Sequence, residues 1–62
     1  MNKPQCKLIG VDGNIFVLAS KVTATLKKAD QVDKAKEFTD RLYKCGSYNK
    51  ALMLITEYVE VV

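Results

Sequence analysis

Three runs in which apolar residues recur every three or four positions organise this chain, and at each end they give way to a short segment of alternating or β-branched character. In the first run Ile15, Leu18, Ala19, Val22, Leu26 and Ala29 fall within an arc of about 100°, with Phe16 beside it. The second stripe is Val32, Ala35, Phe38, Leu42 and Cys45; the third is Tyr48, Ala51, Leu52, Ile55, Tyr58 and Val59, with Met53 and Leu54 outside it. The spacing predicts helices over 14–29, 31–45 and 48–58. Before them, Cys6, Leu8 and Gly10 alternate with Lys7 and Ile9, as in a short strand. After them, Val59–Val62 is apolar and β-branched apart from Glu60, which predicts a second strand pairing with the first in either direction. The expected fold is therefore mostly α, a single domain over residues 1–62 in which three helices stand between N- and C-terminal strands (β-α-α-α-β).

The boundaries carry their own signals. Gly10-Val11-Asp12-Gly13-Asn14 reads as a strand-to-helix turn in which both glycines permit positive φ and Gly13 above all is expected to need it, while Asp12 and Asn14 accept from the first amides of the helix. Asp30 is expected to cap the second helix, Gly46 to end it in the left-handed region and Ser47 to cap the third. Within the second helix Glu37 with Arg41 and Asp40 with Lys44 are spaced for ion pairs worth roughly 0.2–0.5 kcal/mol each. With its charges balanced, that helix reads as a solvated outer face. Residues 1–5 read as a frayed start, and Pro4 suits an extended edge.

Length changes the picture next. A chain of 62 residues buries only about 60% of its unfolded surface, and a single core of that size supplies ~3–5 kcal/mol at most. Small domains compensate with disulfides, metals or partners. Histidine is absent and there are only two cysteines, Cys6 and Cys45, so one chain cannot build a four-ligand zinc site. No apolar run resembles a signal peptide or reaches membrane-spanning length, which places the chain in the cytoplasm with both thiols reduced. Association with further copies of itself is the remaining means of stabilisation, and Val17, Ala24, Met53 and Leu54, outside the three stripes, are the candidate interface.

Catalysis finds little support in the side chains. Acid–base and nucleophilic mechanisms want a perturbed histidine or carboxylate pair, or Ser or Cys beside a base. Ser20 lies on an exposed helical arc, Ser47 is a cap and Asp12 a turn residue, so the chain reads as a non-enzyme without a cofactor. Net charge is +3, with Lys3, Lys7, Lys21, Lys27 and Lys28 opposed only by Asp12 in the first 29 residues. Sequence-specific DNA binding is nevertheless disfavoured. Aligning Gly46 with the turn glycine of a helix-turn-helix puts Arg41, Leu42 and Ser47 where that motif has an apolar, a small and an apolar residue. A helix N-terminus following a glycine-containing turn can instead hold an anion. That makes Gly10, Asp12, Gly13 and Asn14, with Lys7, Lys21 and Lys28 as cationic support, the candidate ligand site.

The stretch Leu8-Ile9-Gly10-Val11-Asp12-Gly13-Asn14-Ile15-Phe16, the basic amphipathic helix, Gly46-Ser47-Tyr48-Asn49-Lys50-Ala51-Leu52 and the terminal Tyr58-Val59-Glu60-Val61 together resemble a family of uncharacterised proteins of about this length encoded by phages and bacterial mobile elements. The resemblance spans nearly the whole chain. Ser47 departs from it, since the family usually has Asp at that position. The resemblance implies a compact intracellular protein of mobile DNA, in a setting where small proteins block or absorb host defences, and it carries no activity. Two functions are then expected. One is an oligomeric binder that sequesters a phosphate-bearing ligand such as a nucleotide signal. The other is an inhibitor or adaptor that docks on a host protein through Val17, Ala24, Met53 and Leu54, with weak nucleic-acid attraction a further possibility.

Overall fold

The computed structural model describes residues 3–62; the frayed start expected at residues 1–5 lies outside the described residues for Met1 and Asn2. Along the chain run β1 (Gln5–Cys6), α1 (Ile15–Lys28), α2 (Val32–Tyr43), α3 (Tyr48–Tyr58) and β2 (Glu60–Val61), the β-α-α-α-β order that the apolar periodicity predicts. β1 and β2 pair in parallel, Gln5 opposite Glu60 and Cys6 opposite Val61. Parallel neighbours require a long crossover connection, and all three helices supply it. Glu60 N–H donates to the Pro4 carbonyl at 2.8 Å, Val62 N–H to Cys6 at 3.0 Å, and Leu8 N–H to Val62 at 2.9 Å. The pairing thus extends slightly past the strands and fastens both ends of the described chain together.

The first strand is shorter than the alternation at Cys6–Ile9 predicts because the chain turns at Leu8. Val11 N–H donates to the Leu8 carbonyl at 3.2 Å, and Gly10 sits between them with φ of 86°, as the third residue of a type II turn requires. Positive φ therefore belongs to Gly10 and not to Gly13. The expected alternation survives in burial, Cys6 buried and Leu8 half-buried while Lys7 and Ile9 face out.

α1 contacts α2, α3 and β1, and it contributes Leu18, Ala19, Val22 and Leu26 to the core. Ala35 and Phe38 of α2 meet them, as do Leu54, Ile55 and Tyr58 of α3, with Val59 and Cys6 closing the cluster. The stripes read from the sequence are correct in their centres and too wide at their edges: Ala29 and Val32 are exposed, and Phe16 is 73% exposed. Leu54 is the clearest correction. It is only 4% exposed, because α3 packs against both α1 and α2 and its buried arc swings from Leu52 toward Leu54. Leu54 is thus a core residue and not part of a surface patch. Both cysteines are free, Cys6 buried and Cys45 half-buried; the Thr25 hydroxyl donates to the Cys6 sulfur at 3.3 Å.

Three caps differ in their fate. Asn14 Oδ1 accepts from Phe16 N–H at 2.9 Å and Ser47 Oγ from Lys50 N–H at 3.2 Å, as expected. Asp30, expected to cap α2, instead ends α1. It adopts φ of 63°, its N–H bonds the Lys27 carbonyl, and Gln31 N–H reaches back to Leu26 at 2.8 Å, which is a Schellman closure with Asp in the place usually held by Gly. Gln31 stands at the N-cap of α2 and makes no side-chain capping bond. Gly46 does not take the left-handed region, since α2 ends in short bonds from Lys44 N–H to Arg41 and Cys45 N–H to Leu42. Among the described residues no helix is long and apolar enough to cross a membrane.

Candidate functional site

Three parts of the surface carry enough chemistry to be functional: the turn before α1, a polar cluster around Tyr58, and an uncharged region around Tyr48.

The turn is built as the sequence implies and is already occupied by its own side chains. Asp12 Oδ1 accepts from Asn14 N–H at 2.9 Å while Asn14 Oδ1 takes Phe16 N–H, so two of the amides that would greet an anion are satisfied internally. The Gly13 carbonyl accepts from the Tyr48 hydroxyl at 2.6 Å. Gly10 serves the type II turn and leaves the helix N-terminus to Gly13 and Asn14. The lysines do not converge. At 1.5 Å rise per residue Lys21 lies about 9 Å and Lys28 about 20 Å along α1 from Ile15, and Lys28 belongs to the last turn of the helix, where it complements the negative end of the dipole. Lys7 is exposed and immediately precedes the type II turn. Beside Gly13 the surface dips into a depression of about 350 Å³ lined by Leu8, Ile9, Leu18, Leu52 and Val61, with no charged side chain. The concavity next to the turn is therefore apolar, not cationic.

Around Tyr58, three side chains form one network that helical spacing does not reveal. The Tyr58 hydroxyl donates to Glu37 and accepts from Arg41 Nη1 at 3.2 Å. Arg41 spans to α3 and pairs with Glu57 at 3.2 and 3.4 Å, its guanidinium also lying 5.7 Å from the Tyr58 ring centre. The i,i+4 pair expected between Glu37 and Arg41 is thus replaced by bonds from both residues to α3. Under the hydroxyl, the Tyr58 ring meets Phe38 edge-on at 5.5 Å between centroids. The hydrogen bond from Tyr58, with the charges of Lys34 and Arg41, holds the Glu37 carboxyl below the usual range despite some opposing burial. Burial, and then the bond to Glu37, pushes the Tyr58 hydroxyl up. Internal pairing of this kind is the signature of a clasp between helices.

The uncharged region centres on Tyr48. On one side lies the depression beside Gly13. On the other is a second one of about 390 Å³ between the start of α1 and the α2–α3 loop, lined by Ile15, Phe16, Leu42, Tyr43 and Ala51 and also free of charged residues. Ile9 is 70%, Phe16 73% and Tyr43 79% exposed on the rims. Tyr48 reads as core from its periodicity and Phe16 as a flank of its stripe, and neither pattern could show that both emerge exposed at the helix starts. Of the four residues expected to form an interface, Val17, Ala24 and Met53 are exposed and Leu54 is not. Val17 and Ala24 share their arc of α1 with Lys21 and Lys28, whereas Met53 lines a groove between α2 and α3. They do not form one patch. Compared with protein-family models, curated proteins and solved structures, the chain matches none.

Proposed function

We propose that this protein acts by binding and not by catalysis, as a self-associating domain whose copies meet through the uncharged region around Tyr48. The observation that carries the reading is the exposure of Ile9, Phe16, Tyr43 and Tyr48 about two adjoining depressions in which no charged residue takes part. Large apolar side chains clustered in this way mark contact surfaces. A second copy fits the surface for two reasons. Two chains of net charge +3 repel one another wherever their lysines meet, and this is a face that opposes none. A two-fold contact also needs protrusion and recess on the same patch, which Phe16 and the depression beside Gly13 provide.

The arc of Val17 and Ala24 serves self-association less well, since a two-fold contact there would set Lys21 and Lys28 against their own copies. A phosphate-bearing ligand at the turn would have to displace the Asp12 and Asn14 side chains and would find the lysines dispersed. A protein partner therefore has the better support, and the mobile-element setting implied by the resemblance fits an adaptor or inhibitor that occupies a host protein.

Sedimentation equilibrium at micromolar concentration tests self-association. The native chain should sediment as a dimer or larger, and Phe16→Glu combined with Tyr43→Glu should give a single chain of unchanged helical circular dichroism. A native protein that sediments as one chain, or a double variant that associates as before, overturns the reading.

A further inference from the structure

Between α2 and α3, on the other side of Leu42 and Cys45 from the Tyr48 surface, runs a groove of about 350 Å³ whose composition differs from every surface discussed above. Its floor is apolar: Met53 stands 68% exposed over buried Leu54, with half-buried Cys45 beside them. Its rim is cationic, made of Lys44, Lys50 and Arg41 against the single carboxylate of Glu57. That carboxylate is held by Arg41, so the two cancel. Among the described residues no hydrogen bond or ion pair engages the side-chain ammonium of Lys44 or Lys50, which leaves two free cations beside an apolar floor.

We infer that this groove docks a short acidic amphipathic helix of a partner protein. The span from Lys50 to Glu57 is about 10 Å at helical rise, room for about two turns of a docked helix. A helix laid in a groove presents apolar anchors at i, i+3 or i+4 and i+7. Those anchors would rest on Met53 and beside Cys45, and carboxylates flanking them would reach Lys44 and Lys50. The charge decides the occupant. A second copy of this chain brings net positive charge to a positive rim, whereas an acidic segment gains both attraction on approach and two charge-assisted hydrogen bonds on arrival. The inference does not depend on self-association, because the groove has only Cys45 in common with the region around Tyr48 and shares none of its rim charges with it.

The test is fluorescence anisotropy with two labelled synthetic helices that carry the same leucine stripe, one with glutamates on its polar face and one with lysines. The glutamate helix should bind saturably and weaken about tenfold or more when salt is raised from ~0.05 M to ~0.5 M, and the lysine helix should not bind. Lys44→Glu combined with Lys50→Glu should abolish binding while leaving circular dichroism and sedimentation as in the native chain. Met53→Asp should abolish it as well, and should it unfold the domain, the surface double variant still decides. The inference is overturned if the glutamate helix fails to bind at millimolar concentration, if it binds the lysine-to-glutamate double variant undiminished, or if both helices bind alike. It is equally overturned if the double variant changes the sedimentation of the protein, which would assign the groove to a second copy. Binding of anionic vesicles in place of the glutamate helix would assign it to a lipid surface and overturn it too.

Discussion

The hydroxyl of Tyr48 donates a 2.6 Å hydrogen bond to the carbonyl of Gly13, fastening the first turn of α3 to the loop that opens α1 across 35 residues of sequence. The bond has an energetic role separable from the ring, which remains part of the uncharged surface. Tyr48→Phe keeps the ring and removes the donor, so it should cost about 1 kcal/mol of stability in urea unfolding, near the mean for a neutral hydrogen bond. Self-association should persist in this variant, because only the hydroxyl is lost.

The two glycines before α1 should respond unequally to a methyl group. Gly10 has φ of 86°, where a Cβ is strained whatever the space around it, and nothing lies within 4 Å of the position a Cβ would take. Gly10→Ala should therefore destabilise by about 1 kcal/mol or more through backbone strain alone. At Gly13 φ is not positive and an added Cβ would meet the Tyr48 hydroxyl at 3.5 Å, an ordinary contact. Gly13→Ala should be close to neutral by thermal melting; a loss as large as that at Gly10 would contradict the turn described here.

Asp30 offers an unusual case in which glycine should stabilise. Its φ of 63° holds a Cβ in the left-handed region at the end of α1, and its side chain caps nothing in α2. Asp30→Gly relieves that strain and adds freedom to the unfolded chain, leaving a net gain of about 0.5 kcal/mol. The true caps should behave conventionally, Asn14→Ala and Ser47→Ala each costing about 1 kcal/mol. Chemical denaturation of the three variants gives the order directly.

What was legible in the sequence follows from how local each feature is. Leu18, Val22, Leu26, Phe38, Ile55 and Tyr58 lie at the centres of their stripes and are buried whichever way the helices cross. Asn14 and Ser47 act on amides within three residues, so their roles can be read without a fold. Leu52 and Leu54 flank the centre of the α3 stripe on opposite sides, and which is covered depends on where α2 sits. The same holds for Arg41, whose partners Glu57 and Tyr58 are 16 and 17 residues away. At the turn, composition marked an amide-rich helix start correctly, but composition cannot tell whether Asp12 and Asn14 fill those amides or leave them open. Lys7 flanks the turn and Lys21 and Lys28 share the exposed side of the helix it opens, which the sequence shows, but the axial rise of α1 sets the last two about 10 Å apart and carries both away from the turn.

The Tyr58 cluster should give stability a dependence on pH at both ends of the scale. In the folded chain the Tyr58 bond and the charges of Lys34 and Arg41 hold the Glu37 carboxyl below its ordinary value. A group depressed on folding contributes stability above its unfolded pKa, about pH 4, and that contribution is lost as pH falls through the lower folded value. Tyr58 is the opposite case. Burial raises it, so the neutral hydroxyl contributes stability in full below its unfolded pKa of about 10, and the contribution is lost as pH rises through the higher folded value. Tyr58→Phe deletes the alkaline limb and at the same time frees Glu37, whose carboxyl titration, followed by carbon NMR, should move back up toward the ordinary range. The variant retains the edge-on packing with Phe38 and loses both hydroxyl bonds. A Glu37 titration that does not move in Tyr58→Phe would show that the charges of Lys34 and Arg41, and not the tyrosine, set its value.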